Sequence, residues 1–290
     1  MADQKSNSPE IKPPWLKVRA GGNKKYLEVQ SLLRQYNLHT VCQEANCPNR
    51  GECFSAGTAT FLIMGPNCTR HCTFCNVTPG TICPIDQDEP DNVARAVDIL
   101  GLNHAVITSV TRDDLTDGGA MHFARVIEAI RELSRKITIE VLTPDFKGNR
   151  EDIKTVLEAR PDVFNHNIET VPQLYDEVRP QADYRRSLGV LEFASARGTS
   201  AVKSGVMVGL GETLPELYRT FEDLASAGVE YLTIGQYLAP SGKHHPVIKY
   251  YHPREFESLA ASAAGCGIKS IFSAPLVRSS YHAAEQFRRQ

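Results

Sequence analysis

Short apolar runs alternate with amphipathic segments of helix length through most of the chain. The apolar runs predict six strands, at 61–65, 105–110, 138–143, 163–169, 204–210 and 231–238. The segments after them carry apolar residues at helical spacing and predict helices at 90–100, 120–133, 151–159, 185–196, 213–228 and 253–265. A further helix is predicted at 26–36, ahead of the first strand.

Apolar strands separated by helices indicate an α/β protein with a parallel sheet and helical crossovers. Six strands are two short of the eight-stranded barrel, so the pattern predicts an incomplete (β/α)6 barrel. A doubly wound open sheet has the same pattern and stays open as an alternative. The run 269–275 is a candidate for a further strand. In either fold, functional residues are expected at the carboxyl ends of the strands.

The barrel pattern leaves an extension at each side, which divides the chain into three parts. These are an N-terminal extension at 1–60, the barrel at 61–265 and a C-terminal extension at 266–290. Residues 1–14 are polar and contain three prolines, so we expect them to be disordered or loosely draped.

Six of the eight cysteines lie close together in the sequence and form two triplets. The first triplet has the spacing C-x4-C-x5-C, and its members are Cys42, Cys47 and Cys53. The second triplet has the spacing C-x3-C-x2-C and follows the first predicted strand; its members are Cys68, Cys72 and Cys75. Cys83 and Cys266 have no ligand-like neighbours and are expected to be ordinary buried thiols.

Such dense cysteines point to metal binding. The N-terminus has no apolar segment that could act as a signal peptide, which argues against disulfides. Structural zinc needs four ligands, commonly in paired C-x2-C units, and only Cys72 and Cys75 form such a pair. Iron–sulfur clusters usually take four cysteines. A cluster with only three cysteine ligands leaves one iron free to bind another ligand. Two cysteine triplets therefore suggest two clusters that take part in a reaction.

Composition and charge exclude several functions. Among 290 residues, 41% are hydrophobic and 23% charged, as in soluble globular proteins. The net charge of −2 gives no reason to propose nucleic acid or a membrane surface as a partner. The N-terminus lacks the character of a transit peptide, so we expect a cytoplasmic location.

The second triplet, with Phe74 directly before its last cysteine, resembles the radical S-adenosylmethionine superfamily. The first triplet, within CQEANCPN and the cysteine after it, resembles the auxiliary-cluster motif of the lipoyl synthase family. Further blocks resemble the same family in the same order: TSVTRDDLTDGGA (108–120), NHNIETV (165–171), VRPQADYRRSL (178–188), KSGVMVGLGET (203–213) and RSSYH (278–282). The resemblance runs from about the first triplet to the last of these blocks.

The resemblance implies a barrel of the radical S-adenosylmethionine type that carries two 4Fe-4S clusters and S-adenosylmethionine. It implies insertion of two sulfur atoms at C6 and C8 of an octanoyl chain held on a carrier lysine. The cluster on the second triplet would bind S-adenosylmethionine and supply the electron that generates a 5′-deoxyadenosyl radical. The cluster on the first triplet would donate its sulfides and be consumed.

The family uses a serine as the fourth ligand of the auxiliary cluster. Ser279 and Ser280 are the candidates in this chain. The family motif favours Ser280, and nothing in the sequence itself separates the two. A serine oxygen matches cluster iron less well than a thiolate, so that iron should leave more easily. The alternative is that the hydroxyl caps a C-terminal helix.

Polar residues at predicted strand ends are candidate contacts to the cofactor. They are listed here with one aromatic neighbour of the second triplet: Phe74, Thr108, Ser109, Asn167, Glu169 and Lys203. A helix-capping turn would equally explain Asn167 and Glu169. Arg112, Asp113 and Asp114 fit either a solvated loop or the lining of a substrate mouth. The pair Gly209-x-Gly211 lacks a full phosphate-binding motif and is interpreted as a tight turn.

The resemblance also implies partners. These are an octanoylated lipoyl carrier protein or lipoyl domain, and an electron donor such as ferredoxin or flavodoxin. Two other classes of function compete with it: another two-cluster radical enzyme of sulfur transfer, and a non-catalytic electron carrier or zinc-structured scaffold. The RSSY sequence and the first triplet upstream of the second argue against the other radical enzymes.

Overall fold

The computed structural model describes residues 12–18, 21–133 and 136–288, with the backbone alone at 288. The predicted loose segment 1–14 lies almost wholly outside the described residues. Where the description begins, Pro14–Leu16 forms a single turn of 3-10 helix and Leu16 is fully buried.

One sheet of eight strands organises the part of the chain that the structure describes. Its strands follow each other in sequence order, and all neighbours are parallel except β1, which is antiparallel to β2. They are β1 (His39–Thr40), β2 (Thr60–Ile63), β3 (His104–Ser109), β4 (Thr138–Leu142), β5 (Val163–Asn165), β6 (Ala201–Val208), β7 (Tyr231–Gln236) and β8 (Ser270–Ser273).

Eleven helices connect the strands among the described residues. They are α1 (Lys24–Gln35), α2 (Val41–Glu44), α3 (Arg50–Ser55), α4 (Glu89–Leu100), α5 (Ala120–Leu133), α6 (Arg150–Glu158), α7 (Tyr175–Val178), α8 (Tyr184–Arg197), α9 (Leu214–Ser226), α10 (Pro253–Gly265) and α11 (Ala283–Arg288). All seven helices that the periodicity predicts are present, with bounds that differ by two residues at most.

The predicted incomplete barrel is confirmed, and the doubly wound alternative is excluded because the strand order never reverses. Within the described chain, β8 pairs with β7 alone and β2 pairs with β1 and β3, so the sheet is not closed into a ring. The candidate run 269–275 forms β8, which adds a seventh parallel strand to the six predicted.

The core lies between the sheet and the surrounding helices. Strand β2 is buried at every position, and β7 likewise, as expected for parallel strands covered on both faces. Helix α5 turns Phe123, Ile127 and Ile130 to the sheet at i, i+4 and i+7, and each is fully buried.

The segment after β8 crosses the carboxyl ends of the strands. Gly235 of β7 makes room for it: a Cβ atom there would lie 2.1 Å from the Val277 carbonyl oxygen. Helix α11 then directs Phe287 between His104 and Tyr231, with ring centroids 6.3 and 6.0 Å away. Since these are the first residues of β3 and β7, α11 covers the amino end of the barrel.

Among the described helices, none combines the length and the apolar character required to cross a lipid bilayer.

Candidate active site

The second triplet lies in the loop that follows β2, at the carboxyl end of the sheet. Cys72 and Cys75 each lie close enough to Cys68 for its charge to raise their thiol pKa values, which shows that the three sulfurs converge. The Sγ atom of Cys68 accepts hydrogen bonds from the backbone amides of Arg70 at 3.4 Å and Thr111 at 3.3 Å. Such donors stabilise a thiolate.

Arg70 attaches this loop to two neighbouring loops of the barrel. Its guanidinium donates to Asp113, with Nε 2.7 Å from Oδ2, and to Asp145, with Nη2 2.7 Å from Oδ1. The Arg70 side chain is 5% exposed and that of Asp145 fully buried. The Arg70 bonds and charge hold the Asp145 pKa well below its usual range against the effect of burial. Arg70 thus fixes the loop of the second triplet through two bidentate contacts, one with each carboxylate.

The first triplet lies on α2, on α3 and between them. Burial, and then the charges of Cys42 and Cys47, raise the thiol pKa of Cys53 to about 12. Burial raises that of Cys42 to about 11, with Cys47 adding to the effect. These mutual effects show that the three sulfurs are neighbours. Thr60, the first residue of β2, contributes hydrogen bonds to the Cys42 sulfur.

The donor chemistry of both triplets fits iron–sulfur clusters. Each offers three thiols within electrostatic reach of one another, and burial raises the thiol pKa of Cys75 to about 12, so that binding of a cation must accompany proton loss. No group of three Cys, His, Asp or Glu within the described ranges is close enough to hold a single metal ion. A cluster spreads its ligands over several irons and does not require that closeness.

The RSSYH segment lies against the first triplet. The Tyr281 hydroxyl donates to Oε1 of Glu52 at 2.8 Å, next to Cys53 in sequence. The Ser279 hydroxyl accepts a hydrogen bond from Nδ2 of Asn167 at 2.7 Å. The Ser280 hydroxyl takes part in no hydrogen bond among the described residues.

Neither serine caps the C-terminal helix. Both precede α11 in a turn, and the backbone amides of Glu285 and Gln286 bond to the His282 carbonyl instead. The capping alternative for the serines is therefore not what the structure contains. Of the two, Ser279 is engaged with Asn167 and Ser280 has its hydroxyl available.

Glu169 lies within electrostatic reach of Cys72 and Cys75 of the second triplet, and Arg278 lies within reach of Cys47 of the first triplet and of Glu169. Burial raises the Glu169 pKa, while Arg179 and Arg278 act in the opposite direction. Burial lowers the Arg278 pKa, while Cys47 and Glu169 oppose that effect, and Glu169 in turn raises the pKa values of Cys72 and Cys75. One carboxylate and one guanidinium thus connect the sites electrostatically.

The backbone at Glu169 adopts an uncommon conformation that aims its side chain into the mouth. Its φ is 66°, and it is held by a bond from its amide to the Gly205 carbonyl and one to its carbonyl from Met207. A left-handed conformation costs a non-glycine residue on the order of 1–3 kcal/mol and is typical of functional sites. Asn167 donates to Glu169 at 3.1 Å, and its own Oδ1 is buried without a hydrogen-bond partner among the described residues.

Three other predicted cofactor contacts lie at the same end of the sheet. Phe74 packs against an apolar group that contains Val178, Leu210 and Tyr237. Thr108 donates its hydroxyl to the Leu142 carbonyl at 3.0 Å, and Ser109 next to it has a buried hydroxyl without a partner among the described residues.

Lys203 lies elsewhere in the barrel. It is the third residue of β6, toward the amino end of that strand, with its side chain 2% exposed. Its ammonium donates to Oε1 of Glu140 at 2.8 Å, and His104 lies 3.4 Å from the other carboxylate oxygen. The structure therefore does not bring Lys203 together with Asn167 and Glu169.

Several residues of the site were not named as functional candidates from the sequence. Arg70 and Arg179 act on the second triplet, Asn49 donates to the Leu276 carbonyl, and Glu52 contacts the RSSYH segment. Arg112 is buried and pairs with Asp114, whereas Asp113 pairs with Arg70, so this trio is not simply a solvated loop. The amides at 209–211 bond to the Glu212 carboxylate, in agreement with the tight-turn interpretation of Gly209-x-Gly211.

Comparison with known proteins places this geometry in a family. Residues 62–224 match the model of the radical SAM superfamily, and residues 2–47 match that of the N-terminal domain of lipoyl synthase of the radical SAM family. The fold and the site thus define a radical S-adenosylmethionine protein.

Relatives narrow the class further. The lipoyl synthase of Caldicellulosiruptor saccharolyticus is 54% identical over 94% of this chain and 96% of its own length. That of Oleidesulfovibrio alaskensis is 52% identical over 98% of each chain. The chain belongs to the lipoyl synthase family, whose members use S-adenosylmethionine and two 4Fe-4S clusters.

Solved structures agree on the fold. The FeFe-hydrogenase maturase HydG from Carboxydothermus hydrogenoformans superposes with a TM-score of 0.58 at 15% identity, over 84% of this chain and 57% of that one. Methylornithine synthase superposes with a TM-score of 0.57 at 13% identity, over 87% of this chain and 76% of that one. At such identities the likeness concerns the fold alone.

Proposed function

We propose that this chain inserts two sulfur atoms, at C6 and C8, into an octanoyl chain attached to a lysine of a lipoyl carrier. The observation that carries the proposal is that hydrogen bonds join the loop of the second triplet, the segment of the first triplet and the Ser279–Ser280 turn. Asn76 donates to the Glu44 carbonyl, Tyr281 to Glu52, and Asn167 to Ser279. A radical precursor and a sulfur source must both reach one substrate chain, and this arrangement supplies two thiol sites around one opening.

In this proposal the second triplet holds one 4Fe-4S cluster, which supplies reducing chemistry toward S-adenosylmethionine when bound. The chain's own residues fix its position. Arg70 ties the loop to Asp113 and Asp145, and the amides of Arg70 and Thr111 donate to the Cys68 sulfur and hold it in place. These contacts hold the loop rigidly against the sheet, so that ligands enter from the mouth.

Asn167 and Glu169 are the proposed contacts to the amino and hydroxyl groups of S-adenosylmethionine. Glu169 is held in the mouth by its backbone, and the free Oδ1 of Asn167 offers an acceptor that is otherwise unsatisfied. An unsatisfied buried acceptor costs about 1–3 kcal/mol, which a ligand donor would recover. Ser109 offers a hydroxyl in the same state. For Phe74 and Thr108, an adenine or ribose contact stays a prediction.

The first triplet and Ser280 are the proposed ligands of the second cluster, the sulfur donor. The engagement of Ser279 with Asn167 supports Ser280 as the ligand rather than its neighbour. Oxygen is a harder ligand than thiolate, so the iron at Ser280 is the one held least firmly. In this proposal Arg278, whose neighbours are Cys47 and Glu169, keeps a positive charge at the point where the substrate chain passes between the sites.

The finer assignments of partner and location belong to the same proposal. We propose an octanoylated lipoyl carrier protein or lipoyl domain as substrate, a ferredoxin or flavodoxin as electron donor, and a cytoplasmic location. We also propose that 1–60, 61–265 and 266–290 act as auxiliary-site extension, barrel and serine-bearing extension respectively, which fits the contacts of the RSSYH segment with α3.

The test is anaerobic incubation of reconstituted protein with an octanoyl-lysyl peptide, S-adenosylmethionine and a reductant, followed by mass spectrometry. The expected product carries two added sulfur atoms per octanoyl chain, with 5′-deoxyadenosine formed alongside. A variant with all three cysteines of the second triplet replaced by Ala is the control and should form neither. Cofactor cleavage in the parent protein without any thiolated peptide would refute the proposed reaction.

A further inference from the structure

We infer that Asn49 and Glu52 form a two-point clamp that holds the C-terminal segment against the first triplet and thereby positions Ser280. The inference rests on the proposed function, because it takes Ser280 as a ligand of the auxiliary cluster. Both residues are positioning residues: neither reaches substrate, and each acts through the backbone or side chains around the serine.

The first point of the clamp is Asn49, which lies between Cys47 and Cys53. It occupies the position before α3, where an asparagine normally caps the helix, yet its side chain makes no capping bond. Its Nδ2 instead donates to the Leu276 carbonyl at 2.7 Å, and the residue is only 3% exposed. A side chain that leaves its local partner for one far along the chain is used for tertiary positioning.

The second point is Glu52, one turn further on the same face of α3. Its Oε1 accepts from the Tyr281 hydroxyl at 2.8 Å and lies 3.2 Å from Nε2 of His282. Glu52 is adjacent to Cys53, so the carboxylate is fixed relative to that sulfur.

The two contacts bracket the serine. Asn49 binds the chain before Ser280, at Leu276, and Glu52 binds it directly after, at Tyr281 and His282. Gly235 accommodates the Val277 carbonyl between them, at a distance that no side chain would allow. With the segment fixed on one side to Asn49, directly before α3, and on the other to Glu52 within α3, the position of Ser280 relative to Cys53 is set by this short helix.

Because the contacts of Glu52 are exposed, their effect on the position of the C-terminal segment can be measured without a large change in global stability. The Glu52 side chain is 57% exposed and that of His282 43% exposed. Exposed contacts of this kind contribute little to global stability. Loss of Glu52 should therefore leave the barrel folded while the segment 276–282 becomes more mobile.

The experiment compares Glu52→Ala, Glu52→Gln and Asn49→Ala with the matched control Glu44→Ala. Glu44 is a partly exposed carboxylate of the same segment that pairs with His39 and makes no described contact with the C-terminal segment. The first readout is amide hydrogen exchange of the cluster-free protein. Exchange across 276–282 should rise roughly tenfold in Glu52→Ala and Asn49→Ala, and stay at the parent value in Glu44→Ala. Glu52→Gln keeps an acceptor and should restore most of the protection.

The second readout is Mössbauer spectroscopy of the auxiliary cluster alone, in chains whose second triplet is replaced by Ala. Glu52→Ala and Asn49→Ala should alter the signal of the serine-bound iron as Ser280→Ala does, and should add nothing in the Ser280→Ala background. An unchanged exchange rate in both clamp variants, or unchanged spectra while Ser280→Ala changes them, would overturn the clamp. An unchanged spectrum in Ser280→Ala would instead refute the proposed ligand.

Discussion

Replacement of Lys203 by Met tests whether this buried lysine stabilises the barrel or contacts the cofactor. The change keeps an unbranched side chain of similar length and removes the ammonium. Glu140, which is 1% exposed, would retain only Asn165 at 3.2 Å and His104 at 3.4 Å as polar neighbours. Loss of one partner of a buried ion pair costs about 3–5 kcal/mol, because the other charge is left uncompensated.

The size of the stabilisation by the Lys203–Glu140 pair can be checked by varying the pH. Burial alone would raise the Glu140 pKa, but the Lys203 ammonium and the neighbouring His104 lower it to about 2. Compared with about 4.3 in the unfolded chain, this corresponds to about 3 kcal/mol of stability. Because the folded pKa is the lower one, that contribution is present above pH ~4.3 and is lost as the pH falls toward 2. The difference in the free energy of unfolding between the parent protein and Lys203→Met should therefore become smaller at acidic pH.

Urea denaturation of the cluster-free proteins provides the assay. With a slope of about 3 kcal/mol per molar urea, Lys203→Met should lower the midpoint by about 1 M or more at pH 7. The double variant with Glu140→Gln removes both charges and should recover much of the loss. An unchanged midpoint, combined with a tenfold weaker affinity of the reconstituted protein for S-adenosylmethionine, would refute the structural role and support the cofactor contact.

Three further predictions concern the clusters. Reconstituted protein should bind about eight irons and about eight sulfides per chain, and replacement of the second triplet by Ala should remove half of them by chemical assay; zinc as the main metal would contradict two iron–sulfur sites. Replacement of the first triplet by Ala should leave 5′-deoxyadenosine formation intact and abolish carbon–sulfur bonds, and any thiolated peptide would show another sulfur source. Ser280→Cys should assemble its cluster yet insert less sulfur, because thiolate holds the departing iron more firmly, while Ser279→Cys should be milder; the reverse order in product counts would assign the ligand to Ser279.

The fold was largely predictable because most of the parallel strands are buried on both faces and read as apolar runs, whereas β8, which is partly buried at every position, was only a candidate. Strand β1 was not predicted, because the two residues His39–Thr40 are too few to appear as an apolar run in the sequence. Strand β6 was predicted to begin at 204 but begins at Ala201. The lysine in third place interrupted the apolar run, although its charge is neutralised inside the barrel by Glu140. Lys203 was predicted as a cofactor contact because it is a polar residue at the start of the predicted strand, whereas it lies within the strand, toward the amino end.

The site was predictable only where its parts are close in sequence. The spacing of each triplet is local and was enough to predict both sets of cysteine ligands, which remain a prediction. Arg70 and Asp145 are 75 residues apart in the sequence, and Glu52 and His282 are 230 apart. No local sequence pattern could therefore predict their contacts. The choice between Ser279 and Ser280 depends on Asn167, which is 112 residues away from Ser279 and is brought there only by the barrel.

Asn49 and Leu276 are far apart in the sequence, and this distance affects the order in which the two cysteine sites form during folding. The second triplet lies within one loop, whereas closing the first site against its serine joins residues 227 apart. Closure of the longer loop costs about 3 kcal/mol more in chain entropy. The local site can therefore assemble early during folding, while the distant one exists only once the whole barrel has formed. In the proposed function, Ser280 can therefore bind the auxiliary cluster only after the barrel has folded.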